Sequence, residues 1–301
     1  MADVPVIAVV GPTAAGKSDL AVALAIELGG EVVNADSMQL YRGMDIGTAK
    51  LGPDERRGVV HHLLDILDVT EPATVAQFQA LARQVIDDCL GRDVPPILVG
   101  GSALYMRAVL DEFTFPGTDA ALRARLEAEL ESVGSHELHR RLAARDPAAG
   151  EAILPSNGRR IVRALEVIEL TGRPYAATLP AMSYHYASAV QIGLDVPRNG
   201  LDRRIERRVD KMWDAGLVDE VVALERAGLR KGRTASRALG YSQVLDYLAG
   251  KLTEQEARAE VVRATRRFAR RQDSWFRKDP RIRWLPYDAP DLLDRAHSSI
   301  R

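Results

Sequence analysis

The sequence of 301 residues predicts an α/β fold, in which a doubly wound parallel sheet carries an inserted small helical domain. Short β-branched runs alternate with helical patterns up to residue 110, as is typical of parallel sheets. Two of these runs end in glycine-rich turns that lead directly into helices. Between residue 118 and about residue 180 the pattern is purely helical, which is too long for a loop. We therefore expect a core domain formed by residues 1–117 and 190–301, and a helical insertion at 118–189.

Composition is ordinary for a globular protein, with 46% hydrophobic and 28% charged residues. The single cysteine, Cys89, excludes an intramolecular disulfide and suits a reducing compartment. No stretch is long and apolar enough to span a bilayer. The apolar run at residues 4–10 lacks a basic leader, so it does not resemble a signal peptide. We expect a cytoplasmic monomer with no membrane partner.

The first element is a β-branched strand at residues 4–10, which ends in the pattern G-x-x-x-x-G-K-S. A strand before this pattern and a helix after it form the context in which it binds phosphate. Loop amides and the helix N-terminus face the anion, lysine adds positive charge, and the serine hydroxyl can bind Mg²⁺. The loop consists of Gly11, Pro12, Thr13, Ala14, Ala15, Gly16, Lys17 and Ser18. The sheet is therefore expected to be P-loop NTPase-like, with Ser18 as a ligand of Mg²⁺ and a di- or triphosphate bound.

A helix follows at residues 19–28, and a short strand at 31–35 then brings Asp36 to its carboxyl end. Ligands of open parallel sheets bind beyond the carboxyl ends of the strands, so Asp36 is expected near the phosphate loop. A carboxylate in this place can accept a proton from an attacking nucleophile. It could equally cap a helix or bind Mg²⁺, and its position alone leaves these roles open.

Residues 42–69 are irregular and are expected to form a mobile loop that contains His61 and His62. Adjacent histidines point in different directions and no third ligand is near in sequence, so local hydrogen bonding is favoured over a metal site. Thr74 then caps a helix that ends at Gly91.

A third strand at residues 96–99 enters Gly100-Gly101-Ser102 and a helix at 103–110, which repeats the plan of strand, glycine turn and helix. A second helix N-terminus is thereby expected at the same sheet edge. P-loop kinases and NTPases usually have a second strand that ends in an aspartate for Mg²⁺. This strand ends in glycines, and the run before Asp65 is too short to replace it, which weakens the simple NTPase interpretation.

Helices in the insertion are expected to begin at the caps Asp119, Ser135 and Asn157. The chain returns to the sheet with a strand at residues 190–196, and helices fill most of the remainder up to the apolar run at 282–285.

Basic residues are concentrated near the C-terminus, where ten lie between Arg258 and Arg283 against three acidic ones. At about 100° per residue, five arginines gather on one face of a helix, opposite Val261, Ala264, Phe268 and Trp275. A solvated surface is the alternative, but solvated faces normally mix charges of both signs. We favour contact with a phosphate backbone, for which Arg267 and Arg270 are the candidates.

Several motifs, in order along nearly the whole chain, resemble those of tRNA dimethylallyltransferases. They are the phosphate loop, the run Asp36-Ser37-Met38-Gln39-Leu40-Tyr41, and the segments at residues 43–50, 61–65, 98–105, 159–167 and 237–241. Serines stand at positions 18 and 102, where threonine is common in that family; the hydroxyl is kept.

The resemblance implies transfer of a dimethylallyl group from dimethylallyl diphosphate to the exocyclic amine of adenosine 37, in the anticodon stem-loop of tRNA. The phosphate loop would then hold the diphosphate of the donor in place of ATP. Lys17, Ser18 with Mg²⁺, and Arg237 would neutralise the leaving diphosphate, while Asp36 would bind the adenine amine and take its proton. The positions carried over as tRNA contacts are Asp36, Ser37, Met38, Gln39, Ser102, Arg123, Arg159, Arg160 and Arg163.

Three other interpretations remain open from the sequence. An isopentenyltransferase acting on free adenine nucleotides would share the loop and Asp36, but it needs neither the insertion nor the basic helix. A small-molecule kinase would transfer phosphate from ATP. A non-catalytic, RNA-binding nucleotide switch would not require Asp36.

Overall fold

The computed structural model describes residues 4–175 and 182–300. Within them, a six-stranded sheet has the strand order β3-β2-β4-β1-β5-β6, and every neighbouring pair is parallel. The predicted doubly wound α/β fold is thus confirmed. The strands are β1 (Val6–Val10), β2 (Glu31–Asn34), β3 (His61–His62), β4 (Pro96–Gly100), β5 (Ala189–Asp195) and β6 (Ile282–Pro286).

Helices cover both faces of the sheet, so that β1 is buried along its whole length. Its side chains alternate between two apolar clusters, with Val6, Ala8 and Val10 on one side and Ile7 and Val9 on the other. The core helices are α1 (Lys17–Leu28), α2 (Val75–Gly91), α3 (Ala103–Leu110), α8 (Arg198–Asp214), α9 (Leu217–Arg226), α10 (Tyr241–Leu248), α11 (Glu254–Phe276) and α12 (Leu292–Ile300).

Two strands differ from the sequence-based expectation. β3 pairs with β2 inside the segment that was expected to be irregular, because two residues are too few to carry a periodic pattern. β6 was expected only as an apolar run, and it pairs in parallel with β5 at the edge of the sheet.

The chain divides into two compact units, residues 1–111 with 184–301 and residues 112–183. The second unit contains α4 (Ala120–Val133), α5 (Ser135–Arg145), α6 (Pro147–Ala152) and α7 (Gly158–Thr171), which enclose their own apolar cluster. The predicted insertion at 118–189 differs from these bounds by six residues at each end, and residues 176–181 within it lie outside the described residues. None of the helices in the described ranges is both long and apolar enough to cross a membrane.

Candidate active site

Three neighbouring strands end at the same edge of the sheet. β1 leads into the phosphate loop, β4 into Gly101, and β2 into Asp36, and the register pairs Val10 with Gly100 and Asn34 with Val99. The chains approach closely here, because a Cβ on Gly100 would lie 2.6 Å from the carbonyl oxygen of Ala35. The expected convergence of these segments follows directly from the sheet order.

The phosphate loop turns through three residues with positive φ, namely Gly11 (139°), Ala14 (64°) and Gly16 (102°). Positive φ favours glycine, and glycine occupies two of these three positions. Lys17 Nζ donates a hydrogen bond to the Pro12 carbonyl at 2.8 Å. Lys17 therefore bonds back to its own loop in this structure. An incoming anion must compete with the Pro12 carbonyl for the Lys17 ammonium group.

Two arginines of α8 donate hydrogen bonds to the phosphate loop. Arg204 Nε donates to the Ala14 carbonyl at 2.6 Å, and Arg208 Nη1 donates to Thr13 Oγ1 at 3.0 Å. The two arginines are four residues apart, so they share one face of the helix. Neither belongs to a motif singled out from the sequence, although their spacing on a helical pattern is a signal that could have found them.

Electrostatic interactions connect Lys17, Arg208 and Asp36. Burial, assisted by the positive charge of Arg208, lowers the pKa of Lys17 to about 8, whereas Asp36 acts in the opposite direction. Burial likewise lowers the pKa of Arg208, again opposed by Asp36. The site therefore concentrates positive charge that is incompletely balanced by protein carboxylates, as suits an anionic ligand.

Asp36 is held by a local turn after β2. Its N–H donates to Asn34 Oδ1 at 2.9 Å, and its Oδ1 accepts from the Met38 N–H at 2.9 Å. Asn34 Nδ2 donates to the carbonyls of Asp36 and Leu63, each at 3.0 Å. Asp36 caps a turn, and no α-helix begins in the residues that follow it, so the alternative that Asp36 caps a helix is wrong. The second carboxylate oxygen, Oδ2, takes no part in the turn.

Gln272 joins the two glycine-containing turns. Its Oε1 accepts a hydrogen bond from the Thr13 N–H at 2.9 Å, and its Nε2 donates to the Gly101 carbonyl at 2.8 Å. A Cβ on Gly101 would lie 2.3 Å from Nε2, so a larger residue at this position would displace the Gln272 amide. Gln272 comes from α11, 259 residues from Thr13 in sequence, and no local motif identifies it.

Ser18 borders a cleft beside the phosphate loop. The cleft is small and partly open, and it is lined by Ser18, Val32, Asn34, Gln39, Leu51, His61, Leu64 and Val99. Ser18 therefore lies at the edge of open space beside the loop.

Comparison with known proteins gives the family of this chain. The model of the family described as IPP transferase matches residues 39–279. The chain belongs to the IPP transferase family. A tRNA dimethylallyltransferase of Thermobifida fusca is 66% identical over 300 residues, which cover 98% of this chain and 94% of the relative.

Two solved structures support the family assignment. The full-length tRNA isopentenylpyrophosphate transferase of Bacillus halodurans has a TM-score of 0.72 and 42% identity, over 99% of this chain and 94% of that one. A eukaryotic dimethylallyltransferase acting on tRNA has a TM-score of 0.83 and 26% identity, over 97% and 76% of the two chains. The IPP transferase family model begins after the phosphate loop and Asp36, so this match does not include those residues.

The other residues expected at the sheet edge fall on two segments. Ser37, Met38 and Gln39 lie in the turn after Asp36 and are half-buried. Ser102 stands directly before α3, at the N-cap position, and is also half-buried. These segments follow the neighbouring strands β2 and β4, so both lie at the edge of the sheet where a ligand is expected.

Arg237 does not have the environment expected of a diphosphate ligand. It is exposed, at the end of a 3-10 helix spanning Ala235–Arg237. Among the described residues, the side chains from other elements that hydrogen-bond the phosphate loop are Arg204, Arg208 and Gln272. The role carried over for Arg237 therefore stays a prediction.

In the second unit, Arg123 and Arg163 both bind the fully buried carboxylate of Glu166. Although burial opposes ionisation, the hydrogen bonds from both arginines hold the pKa of Glu166 below its usual range. Arg123 therefore joins α4 to α7, whereas Arg163 lies on the same helix as Glu166 and also donates to the carbonyls of Pro116 and Gly117. Arg159 and Arg160, at the start of α7, are exposed.

The basic face of α11 is more balanced by acids than the sequence suggests. Glu260 binds both Arg263 and Arg267, each at 2.8 Å. The neighbouring helix α8 adds acidic side chains: Glu206 lies 2.6 Å from Arg266, and Asp202 lies 3.9 Å from Arg270. The expectation of an almost unopposed cluster was wrong, because acidic partners come from another helix.

The apolar face of α11 is also shifted from the expected one. Val261 and Ala264 are buried as expected, but Trp275 is 45% exposed. Gln272 and Phe276 are buried in its place, because the end of the helix turns a different face toward the sheet.

His62 has potential metal-ligating neighbours that the sequence did not reveal, since Glu31 and Cys89 both lie close to it. Both oxygens of Glu31 already bind Arg92, each at 2.8 Å. Hydrogen bonds from Arg92 lower the pKa of Glu31 to about 2, and burial raises the pKa of the Cys89 thiol to about 11. A neutral thiol and an arginine-paired carboxylate are poor metal ligands, so hydrogen bonding explains this cluster.

Proposed function

We propose that this protein transfers a dimethylallyl group from dimethylallyl diphosphate to the exocyclic amine of adenosine 37 in the anticodon stem-loop of tRNA, with release of diphosphate. The observation that carries the proposal is the placement of Asp36 at the strand end next to a phosphate loop that contains Lys17 and is hydrogen-bonded by Arg204 and Arg208. Membership of the IPP transferase family and relatives named tRNA dimethylallyltransferase support it.

The cations match the needs of the leaving group. Negative charge develops on the departing diphosphate, and fixed donors that face this charge stabilise the transition state more than the ground state. Lys17 would exchange its bond to Pro12 for a phosphate oxygen. Arg204 and Arg208, which are bound to the loop backbone and to Thr13, would hold the loop amides in position and add positive charge.

Mg²⁺ is expected to bind with the diphosphate. Mg²⁺ prefers oxygen ligands and commonly keeps several waters in addition to substrate phosphate oxygens and one or two protein groups. Ser18 fits this pattern, because it carries a hydroxyl and lines the cleft beside the loop. The ion would neutralise charge on the diphosphate.

Asp36 would act on the acceptor. The adenine amine attacks C1 of the dimethylallyl group, the bond from C1 to the diphosphate oxygen breaks, and the amine loses a proton to Asp36. An exocyclic amine of adenine is a weak nucleophile, so orientation and proton removal both contribute. The turn that fixes one carboxylate oxygen of Asp36 while leaving Oδ2 outside it suits a group that must bind the amine.

The target base must leave its stack to reach Asp36, at a cost of a few kcal/mol that new contacts offset. Ser37, Met38, Gln39 and Ser102 are the proposed contacts of the base and its neighbours. Backbone contacts are proposed for Arg267 and Arg270 of α11, and for Arg159 and Arg160 of α7, which are exposed. A monomeric state and a cytoplasmic location remain predictions.

The test incubates the protein with dimethylallyl diphosphate, Mg²⁺ and unmodified tRNA, and analyses the nucleosides by mass spectrometry. Adenosine carrying one added dimethylallyl group at position 37 is expected. Parallel reactions offer AMP as the acceptor, or ATP as the donor. Modification of AMP but not tRNA, or consumption of ATP without any added dimethylallyl group, would contradict the proposal.

A further inference from the structure

A carboxylate outside the proposed active site holds one of the loops that approach it. Glu220, in the first turn of α9, accepts hydrogen bonds from three consecutive backbone amides. Its Oε2 accepts from Asp45 (3.1 Å) and Ile46 (2.7 Å), and its Oε1 accepts from Gly47 (3.2 Å). Hydrogen bonds from N–H groups to an ionised carboxylate are about twice as strong as neutral ones.

Tyr241 completes this arrangement from the first residue of α10. Its hydroxyl donates to Glu220 Oε1 at 2.6 Å, and its ring is fully buried. A Cβ on Gly47 would lie 2.5 Å from that ring, so the backbone of the loop packs directly on it. The loop at residues 43–50, called the 43–50 loop below, is thus fixed by one carboxylate and one aromatic ring.

The 43–50 loop is bonded in turn to the segment that follows Asp36. Gln39 Nε2 donates to the Thr48 carbonyl at 3.2 Å. The side chain of Lys50 is only 3% exposed, and its Nζ donates to the Tyr41 carbonyl at 2.9 Å and to Asp65 at 2.6 Å. Displacement of the loop would therefore move the second half of the turn formed by residues 36–41.

We propose that Glu220 is a positioning residue for the acceptor base. By fixing the 43–50 loop it fixes Gln39 and Tyr41, and so the turn on which Asp36 and its neighbours meet the tRNA; this inference rests on the proposed function. Glu220 does not contact the phosphate loop in the described part of the chain. Its loss should affect use of tRNA and leave binding of diphosphate intact.

The test compares Glu220→Gln with Asp219→Asn. Glutamine keeps the size of the side chain, but its NH₂ group cannot accept a bond from a backbone N–H, and the negative charge is lost. Asp219 is exposed on the same helical turn, so its variant controls for the change of charge. Tyr241→Phe is a milder second variant, because it keeps the ring against Gly47 and removes only the hydroxyl bond.

Three measurements are made on each variant: amide hydrogen exchange at residues 45–47, steady-state kinetics with tRNA, and calorimetric binding of inorganic diphosphate. In Glu220→Gln we expect the rate of hydrogen exchange at these amides to rise about tenfold. The ratio of KM to kcat for tRNA should also rise about tenfold. Diphosphate affinity should stay within about twofold. Tyr241→Phe should raise the exchange rate and the ratio of KM to kcat for tRNA by about threefold. If Glu220→Gln does not fold, Tyr241→Phe provides the test in its place.

Two results would overturn the inference: tRNA kinetics unchanged in both variants, or diphosphate affinity lost in parallel with tRNA use. Failure of the unmodified protein to transfer dimethylallyl to tRNA would instead contradict the proposed function. Hydrogen exchange at residues 45–47 does not depend on activity, so it tests the role of Glu220 in holding the loop in either case.

Discussion

The backbone N–H of Thr13 in the phosphate loop donates a 2.9 Å hydrogen bond to the side chain of Gln272, which lies 259 residues later in the chain. The same side chain donates to the Gly101 carbonyl at 2.8 Å. One amide group therefore sets the spacing between the turn that follows β1 and the turn that follows β4. It also ties both turns to the helix that carries the basic face.

Replacement of Gln272 by methionine should weaken binding of diphosphate. Methionine has a similar shape but leaves a backbone donor and a backbone acceptor unpaired, each costing about 1–3 kcal/mol when buried. We expect the free energy of unfolding to fall by about 2 kcal/mol and the Kd for diphosphate to rise about tenfold. Calorimetry and thermal unfolding measure the two effects. Gln255→Met, on the exposed face of the same helix, is the control; equal Kd values for the two variants would refute the role of Gln272.

Replacement of Arg208 by glutamine should lower diphosphate affinity more than replacement of Arg207. Arg208 reaches Thr13 Oγ1 at 3.0 Å, whereas Arg207 is exposed on the same helix. A charge-assisted bond and nearby positive charge are together worth about 2 kcal/mol, which corresponds to a Kd about 30-fold higher. Titration of both variants with inorganic diphosphate separates this local effect from the general loss of one positive charge. Similar losses in the two variants would show that only net charge matters.

Binding of diphosphate at alkaline pH should take up a proton at Lys17. Because burial lowers the pKa of this lysine to about 8, it loses its proton as the pH rises through that value. A bound anion favours the charged form, so binding above pH 8 must restore the proton. Calorimetry at about pH 9 in two buffers of different ionisation enthalpy measures the uptake. Lys17→Met should abolish it, and an absence of uptake in the unmodified protein would contradict a buried, anion-binding lysine.

Substitution of Arg267 and Arg270 by glutamine should reduce the salt dependence of tRNA binding. Each lost phosphate contact lowers the slope of log K against log salt by about one. Arg267 must leave Glu260 to bind RNA, whereas Arg270 lies 3.9 Å from its nearest acidic partner, so the Arg270 variant should show the larger loss of affinity. Arg295→Gln on α12 controls for total charge. A slope that stays constant in both variants would remove α11 from the tRNA interface.

Local patterns were sufficient to predict the residues that follow strands. The phosphate loop, Asp36 and Ser102 each lie directly behind a recognisable strand, and the parallel sheet brings such ends together. Long-range partners could not be predicted in this way: Gln272, Arg204 and Arg208 reach the loop only through the packing of α8 and α11.

The charge balance of α11 shows the same limit. Its arginines could be placed on one face from their spacing alone, but the acids that oppose them come from α8, which no periodicity connects to α11. Trp275 was wrongly assigned to the buried face and the burial of Phe276 was not predicted, because neighbouring aromatic residues near a helix end carry little periodic information.

Two roles are proposed together at this site: the phosphate loop holds a leaving diphosphate, and Asp36 takes a proton from the acceptor. The direct test is a single-turnover reaction of tRNA with dimethylallyl diphosphate labelled separately in its carbon chain and in its phosphates, using the unmodified protein and Asp36→Asn. In the unmodified protein, we predict that all transferred carbon label enters tRNA and an equal amount of phosphate label leaves as diphosphate. Asp36→Asn should bind the labelled donor with unchanged affinity and transfer carbon at least about a hundredfold more slowly. Phosphate label in tRNA, or normal transfer by Asp36→Asn, would contradict the account.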